Sequence, residues 1–488
     1  MLKFKTKNNQ YAWDEELAMF VPFNQPLDSI FKAVCENNFS KEDCLNVFGS
    51  EFKDSEIVFC YDWSIKWSSF QEKIINQYQI ISKDIIKSEI LRSGLNGLIL
   101  GVTEECNLRC KYCSYSGIYP FSRTHSDQYM SFETSKKAIS YYLDLIIKGI
   151  KYNPIRKPVI GFYGGEPLLN FNLIKKSVEF IKEKYGEKFN KTIEYTITTN
   201  GTLLSETKLK WLIKNNFTIY LSLDGSEKNQ DRNRVYKDGS KTFKDIEKNL
   251  NYLFNNPYEK FYVIPVYDWK TDLFENQEFF DNSSLFNVLS ASIVNYDENY
   301  YSQFSTDDHD AFKNSLLEIM DIYFNKLKKS ERINSFFYYL FMENIEKDIF
   351  GNNCALPSNP IIKCTGTCVP GKKLFVDVNG DFYACERVNK SFSIGNVDEG
   401  FNLENIKCLL DEYFYAMDKC VTCKIRKKCE LCFQNFETNE KCFLNSSEVC
   451  SLEEESNVSD FIVALSYAER YPEIIEENYE NQNLKKFL

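Results

Sequence analysis

The sequence predicts an α/β fold built on parallel βα units. Two observations carry this. From Gly97 onward, short apolar runs alternate with amphipathic helical segments at βα spacing. The segments that look chemical fall at the C-terminal ends of those runs, where parallel sheets bind ligands. A third observation adds a Cys-rich C-terminal part. The 17 cysteines fall mostly in two groups, Cys106–Cys113 and Cys354–Cys450. A length of 488 residues suits two or three domains, and 43% hydrophobic content, with 40 Phe and 31 Tyr, is enough for real cores.

Residues 1–95 read as a small α+β accessory domain. Strands are expected at Leu2–Lys5, Tyr11–Trp13 and Ala18–Val21, a helix on the stripe Leu27, Ile30, Phe31 and Val34, and another strand at Phe52–Tyr61. Residues 96–300 form the βα core. Its strands are expected at Gly97–Val102, Pro158–Phe162, Ile193–Thr198, Phe217–Leu223, Phe261–Val266 and Leu285–Ser290. Ser131 caps the first core helix, with Glu133 in its first turn and Ile139, Tyr142, Leu143, Ile146 and Ile147 on one face. Ile174, Val178 and Ile181 mark the second helix, Leu209–Ile213 the third and Phe243–Phe254 the fourth. Residues 301–353 read as a polar helical bridge and 354–450 as a Cys-dense region held by ligation more than by an apolar core. The tail, 451–488, is acidic at Glu453–Glu455 and amphipathic around Phe461–Leu465.

The formal net charge is −11 with no basic block, which argues against nucleic-acid binding. The start, Met1-Leu-Lys-Phe-Lys-Thr-Lys, lacks the apolar segment of a signal peptide, and no apolar run reaches membrane-spanning length. A soluble, cytoplasmic protein is expected. Disulfides are disfavoured there, so clustered cysteines read as metal or cluster ligands. Cys35, Cys44 and Cys60 are scattered and read as core thiols.

Cys106, Cys110 and Cys113 form a C-x3-C-x2-C run with Tyr112 before the last thiol. Three thiolates can hold three corners of a cubane iron–sulfur cluster and leave one iron open to a small molecule. The competing readings are a zinc knuckle or buried thiols. Zinc wants a fourth ligand, and the nearest histidine, His125, is one of only two in the chain. The run resembles that of the radical S-adenosylmethionine (radical SAM) superfamily, which implies a partial (β/α)6 TIM-like barrel. There the open iron takes the amino and carboxylate groups of the methionine moiety.

Further segments match in order. Gly161-Phe-Tyr-Gly-Gly-Glu-Pro167 ends the second strand. The resemblance implies that Gly164, Gly165, Glu166 and Pro167 line the methionine moiety; glycine admits close backbone approach, and a buried ammonium needs an anionic or carbonyl partner. Thr198-Thr-Asn-Gly201 and Ser222-Leu-Asp-Gly225 end the next two strands, which makes Asn200 and Ser222 polar contacts to the cofactor, with Asp224 capping a turn. Arg234 suits a bidentate carboxylate contact or a surface ion pair.

The C-terminal cysteines resemble the SPASM domain, which carries two auxiliary four-iron clusters. That implies one cluster on Cys364, Cys368, Cys385 and Cys432, and another on Cys420, Cys423, Cys429 and Cys450. Cys442 competes with Cys450, and Cys354 with Cys364. Only two residues separate Cys429 from Cys432, where the family usually has three. A zinc ribbon would separate its pairs by about 15–20 residues. Glu386, next to Cys385, matches the substrate base of sulfatase-maturing relatives, or pairs structurally with Arg387.

The resemblance implies three [4Fe–4S] clusters, bound S-adenosylmethionine, and an electron donor such as flavodoxin or ferredoxin. It points to a maturase of ribosomally made, Cys-rich peptides that forms thioethers. The N-terminal region weakly resembles precursor-recognition domains, which capture a leader by strand addition. The alternatives are carbon–carbon crosslinking, formylglycine formation on a sulfatase, and a zinc-stabilised binding protein without catalysis.

Overall fold

The computed structural model describes residues 1–15, 19–74, 82–92, 94–119, 123–189, 192–283, 285–294, 298–331, 333–349, 369–416, 420, 422–426, 428–429, 431–433, 438–439, 442–443 and 447–477. Cys354, Cys364 and Cys368 lie outside the described residues, and of Cys442 only the backbone is described.

The chain opens with an antiparallel sheet, β1 (Leu2–Lys5), β2 (Gln10–Asp14) and β3 (Met19–Pro22), in that order. Helices α1 (Leu27–Cys35), α2 (Lys41–Phe48) and α3 (Asp54–Ile74) follow. Ile30, Ala33 and Val34 of α1 pack with Cys44, Ile57 and Cys60, and Cys35 packs against the same cluster. These three cysteines are core thiols. The strand expected at Phe52–Tyr61 is helix instead. Asp54 and Glu56 occupy its first turn, where the helix dipole favours acids, and Lys53 N–H donates to the Glu56 carboxylate at 3.1 Å. Ile57, Cys60 and Ser64 are buried at helical spacing.

Helix α4 (Lys83–Arg92) leads into the core. Strands β4 (Gly97–Thr103), β5 (Val159–Gly164), β6 (Glu194–Thr199), β7 (Phe217–Leu221) and β8 (Phe261–Val263) run parallel in that order. Between them lie α5 (Phe132–Gly149), α6 (Phe171–Tyr185), α7 (Glu206–Lys214), α8 (Glu227–Asn233) and α9 (Phe243–Asn255). Register aligns Leu100, Phe162, Ile197, Ile219 and Phe261 in one buried row across five strands. Ser131 caps α5 by accepting from Thr134 N–H at 3.0 Å. Ile139, Tyr142, Leu143 and Ile146 are buried as expected, but Ile147 lies at the surface.

The fifth expected strand breaks at Pro265, which has no N–H to continue the ladder. The chain continues as β9 (Val266–Tyr267), which pairs in parallel with β10 (Ser292–Ile293). The sixth expected strand, Leu285–Ser290, is reduced to a bridge between Val288 and Val263. Helices α10 (Leu273–Asp281), α11 (Glu298–Tyr301), α12 (Thr306–Lys328), α13 (Ser335–Phe337) and α14 (Glu343–Ile349) follow. Helix α12 is more than a polar bridge, because it buries Phe312, Ile319, Met320, Tyr323 and Phe324 in the main core.

The C-terminal part adds β11 (Lys373–Val376), β12 (Asp381–Tyr383), β13 (Gly395–Asn396) and β14 (Gly400–Phe401), then α15 (Leu403–Ala416) and α16 (Ser447–Arg470). β11 pairs in parallel with β4, and the other three strands add antiparallel. The result is one open nine-stranded sheet, β14-β13-β12-β11-β4-β5-β6-β7-β8. Part of the region expected to rely on ligation is therefore a buried extension of the core sheet. Gly101 makes the junction possible: a Cβ there would lie 2.8 Å from the Phe375 ring. Helix α16 places Phe461 among Phe4, Trp13 and Phe20, with ring centroids 4.9–6.0 Å apart. Tyr467 of the same helix and Tyr471 just past its end stack on Phe324, each at 4.8 Å. Among the described residues, no helix is long and apolar enough to cross a membrane.

Candidate active site

The cysteine loop leaves the C-terminal end of β4. The Thr103 hydroxyl fixes the exit, donating to Gln128 O at 2.9 Å and accepting from Glu105 N–H at 3.0 Å. Cys106 is buried, and Cys110 and Cys113 are half-buried. Leu108 N–H points at the Cys106 sulfur and Tyr115 N–H at the Cys113 sulfur, each at 3.4 Å. Polar side chains converge on the same sulfurs: Asn200 Nδ2 on Cys106, Arg234 on Cys110 and His125 Nε2 on Cys113, each at 3.9 Å. Burial pushes the Cys106 thiol up to about 12, with Glu166 adding to it. Burial pushes the Cys110 thiol up to about 12 as well, against the pull of Arg234, and raises Cys113.

These thiols need a cationic ligand to ionise, and a cluster's iron is one. The N–H groups aimed at sulfur are what a cluster thiolate accepts. Among the described residues, no three Cys, His, Asp or Glu side chains converge as a single metal ion requires. Three thiols with N–H groups aimed at two of their sulfurs are a donor set that fits a [4Fe–4S] cluster.

Gly164 and Gly165 owe their identity to backbone approach. Gly164 has φ +135°, and a Cβ on it would lie 2.1 Å from Thr103 O. A Cβ on Gly165 would lie 2.1 Å from Glu105 O. Gly165 N–H donates to Thr103 O at 2.8 Å and Glu166 N–H to Glu105 O at 2.9 Å, so the end of β5 is laced to the start of the cysteine loop. The Glu166 carboxylate is buried and accepts from Leu168 N–H (3.0 Å), Thr199 Oγ1 (2.8 Å) and Asn200 N–H (2.8 Å). Burial raises its carboxyl above the usual range despite these donors. Glu166 thus ties β5 to the end of β6, and Pro167 opens the short helical turn that follows. Asn200 also donates to Asn107 at 3.0 Å, which joins the β6 end to the cysteine loop.

Ser222 follows β7, and its N–H donates to Thr199 O at 2.9 Å. Asp224 does more than cap a turn. It is buried, accepts from Val266 N–H at 3.1 Å and from the Tyr112 hydroxyl, and pairs with Arg234 Nε at 3.0 Å. Arg234 is itself buried, with its guanidinium 5.3 Å from the Tyr112 ring centre. Its ion pair is therefore with Asp224 and buried, rather than at the surface.

Glu386 pairs with Lys373, at 2.8 Å and 3.1 Å, and the charge of the neighbouring Arg387 also acts on it. Burial works to raise its carboxyl, but Lys373 outweighs it and holds the group below the usual range. Cys385 is half-buried, with its thiol raised by burial and by Glu386. Cys420 and Cys429 are buried, and Cys423, Cys432 and Cys450 half-buried.

Ion pairs join this region to the segment that carries the cysteine loop. Lys390 pairs with Glu104 at 2.6 Å, and the buried Arg123 lies 3.7 Å from Asp377. The Arg123 guanidinium lies over the rings of both Phe375 (4.8 Å) and Tyr383 (4.1 Å). Sequence reasoning missed Arg123, Lys373 and Asn107, and weighed His125 only as a zinc ligand. None of them belongs to a spaced motif.

Residues 100–272 match the profile of the Radical SAM superfamily. The chain is 30% identical over 309 residues to an uncharacterized protein, MJ0907, of Methanocaldococcus jannaschii, covering 63% of this chain and 90% of that one. It is 27% identical to the radical SAM cyclopropyl synthase TigE of Paramaledivibacter caminithermalis, over 70% of this chain and 69% of that one. It is 25% identical to a cysteine-type anaerobic sulfatase-maturating enzyme of Clostridium novyi, over 71% and 89%. The fold is similar to that of anSMEcpe solved with bound AdoMet and Cp18Cys peptide, with TM-score 0.57 and 21% identity over 79% of this chain and 99% of that one. With this profile match and a 30% identical relative covered over 90% of its length, and with the cysteine loop at the C-terminal end of a parallel sheet, this chain belongs to the radical SAM superfamily.

Proposed function

We propose that the protein is a peptide maturase that oxidatively crosslinks a ribosomally made precursor, joining a Cys sulfur to a carbon of an acceptor residue. The observation that carries this reading is the docking of the Cys-rich C-terminal part on the cysteine loop through Arg123–Asp377 and Lys390–Glu104. Tyr115 and Tyr163 each sense both Cys113 and the Glu386 carboxylate, which supports a place for Glu386 beside the first set of thiols. Relatives named as maturating enzymes, and a neighbour solved with a bound peptide, support a peptide substrate.

When bound at Cys106, Cys110 and Cys113, a [4Fe–4S] cluster supplies the electron that cleaves S-adenosylmethionine to methionine and a 5′-deoxyadenosyl radical. Tyr112, Gly164, Gly165, Glu166, Pro167, Asn200, Ser222 and Arg234 surround the cofactor's place, with Glu166 and Asn200 holding the strand ends in register. Forming the thioether removes a thiol proton, a carbon-bound hydrogen atom and one electron. Glu386 takes the proton, and this needs Lys373 to withdraw from its carboxylate. Cys364, Cys368, Cys385 and Cys432, and Cys420, Cys423, Cys429 and Cys450, would hold the auxiliary clusters, which would supply an acceptor for the electron. The electron donor is a flavodoxin or ferredoxin of the cytoplasm. The N-terminal sheet binds the leader, since β1 and β3 are both edges.

A second reading, formylglycine formation on a sulfatase, is favoured by the Clostridium relative. Anaerobic reconstitution with iron and sulfide counting, followed by mass spectrometry of Cys-containing precursors and sulfatase peptides, separates the two. About three cubanes, one fewer in the Cys106/Cys110/Cys113→Ala variant, are expected. A precursor that loses two hydrogens and keeps its sulfur supports the crosslink. A sulfatase peptide that loses its sulfur supports the second reading. Zinc without sulfide overturns both.

A further inference from the structure

Asn276 lies on α10, outside every motif, yet it is fully buried and its described side-chain bonds all reach the segment 224–229. Its Nδ2 donates to Asp224 O at 2.8 Å. Its Oδ1 accepts from Asn229 Nδ2 at 2.7 Å and from Ser226 N–H at 3.3 Å. Gly225 has φ +126°, and a Cβ there would fall 1.7 Å from Asn276 Oδ1, so the turn is wrapped tightly around this one amide. The turn it grips presents Asp224, and Asp224 pairs with Arg234 at 3.0 Å. Arg234 in turn lies 3.9 Å from the Cys110 sulfur.

We propose that Asn276 is a positioning residue that, through Asp224, fixes the Arg234 guanidinium against the Cys110 sulfur, and that this fixed cation raises the reduction potential of the cluster bound there. The inference rests on the cluster assigned to Cys106, Cys110 and Cys113. A buried positive charge beside a cluster thiolate favours the form carrying one more electron. The electron comes from a low-potential one-electron donor. In this reading Arg234 acts on the cluster through Cys110, a role separate from any carboxylate it meets.

The experiment is redox potentiometry followed by electron paramagnetic resonance on anaerobically reconstituted full-length protein, with dithionite as reductant. The cluster near Cys110 is identified as the signal lost in the Cys106/Cys110/Cys113→Ala variant. Arg234→Gln is expected to lower its midpoint potential, and Arg234→Lys to restore much of it. Asn276→Leu changes no charge and is expected to lower the potential in the same direction and broaden the signal. Arg234→Gln/Asn276→Leu is expected to shift no further than Arg234→Gln alone, since both act on one cation. Iron content and circular dichroism equal to wild type confirm that each variant is folded and loaded. If Asn276→Leu does not fold, the Arg234 pair still decides whether the cation sets the potential. A loaded Arg234→Gln variant with unchanged potential overturns the inference alone. An additive double variant overturns the positioning role of Asn276. Wild-type protein that takes up no iron and sulfide at these cysteines overturns the site reading and the inference with it.

Discussion

Replacing Gly164 by alanine puts a methyl group into a backbone contact. Its Cβ would sit 2.1 Å from Thr103 O, against a floor of 3.0 Å for real Cβ contacts, so the strand ends must part by about 0.9 Å. The Gly165 N–H to Thr103 O bond, now 2.8 Å, would then exceed hydrogen-bond length, and the Glu166 N–H to Glu105 O bond would weaken with it. Holding alanine at φ +135° costs about 1–3 kcal/mol, and each buried backbone group left unpaired costs a further ~1–3 kcal/mol. The total is on the order of 3–5 kcal/mol, a large part of a typical domain's stability. Urea denaturation of the metal-free protein measures it, with iron uptake as a second readout. Gly239→Ala is the control: its φ is +83°, but nothing lies within 4 Å of the added Cβ, so about 1–2 kcal/mol is expected. A Gly164→Ala protein as stable as wild type that loads iron normally would refute the close-approach argument.

Asp268→Asn leaves Arg232 without the carboxylate that now binds it at 2.7 Å and 2.8 Å, and should cost about 3–5 kcal/mol in urea denaturation. Burial works to raise the Asp268 carboxyl, but Arg232 holds it below its ordinary 3.8. Its stabilisation is therefore full above that value and lost as pH falls through the lower folded one, and the variant should lack this acid-dependent part. Glu469→Gln weakens the contacts from Thr6, Asn8, Asn9 and Tyr11 that tie α16 to the β1–β2 hairpin, by about 1 kcal/mol after solvent screening. Burial opposes the Glu469 charge, but these donors hold its carboxyl below its ordinary 4.5. The contact should thus be intact above that pH and released as pH falls further, as seen in hydrogen exchange of the hairpin. Ser131→Ala should cost about 1 kcal/mol in thermal or urea unfolding through the lost α5 cap.

The parallel core was legible because its signals are local. Apolar runs, caps and glycines at strand ends each sit within a few residues; Ser131 stands out ahead of a helical stripe, and Gly164 and Gly165 through the resemblance of their segment to a family motif. What escaped reading depends on contacts distant in sequence. β11 pairs with β4 across more than 270 residues, and no local periodicity marks it as a core strand. Lys373 reaches Glu386 across a hairpin, and Asn276 reaches the Asp224 turn from α10. At Phe52–Tyr61, aromatic and β-branched residues imitated a strand, but acids at the start and burial at 57, 60 and 64 made a helix. Cysteine spacing marked the thiols but could not reveal the side chains aimed at their sulfurs, since Asn200, Arg234 and His125 come from three separate segments.

The parallel pairing of β11 with β4 also bears on how the chain reaches its native state. Strand β4 is the first core strand made, and its partner on one side, β5, follows within about sixty residues. Its partner on the other side is not synthesised until residues 373–376. During translation β4 therefore remains an open apolar edge for most of the chain, with Leu98 and Leu100 waiting for Leu374 and Val376. Such long-range closure is slow and leaves an edge that can pair with other chains. A ribosome stalled before residue 373, or a truncation there, would release a core with that edge bare, prone to aggregate however well its cysteine loop had formed.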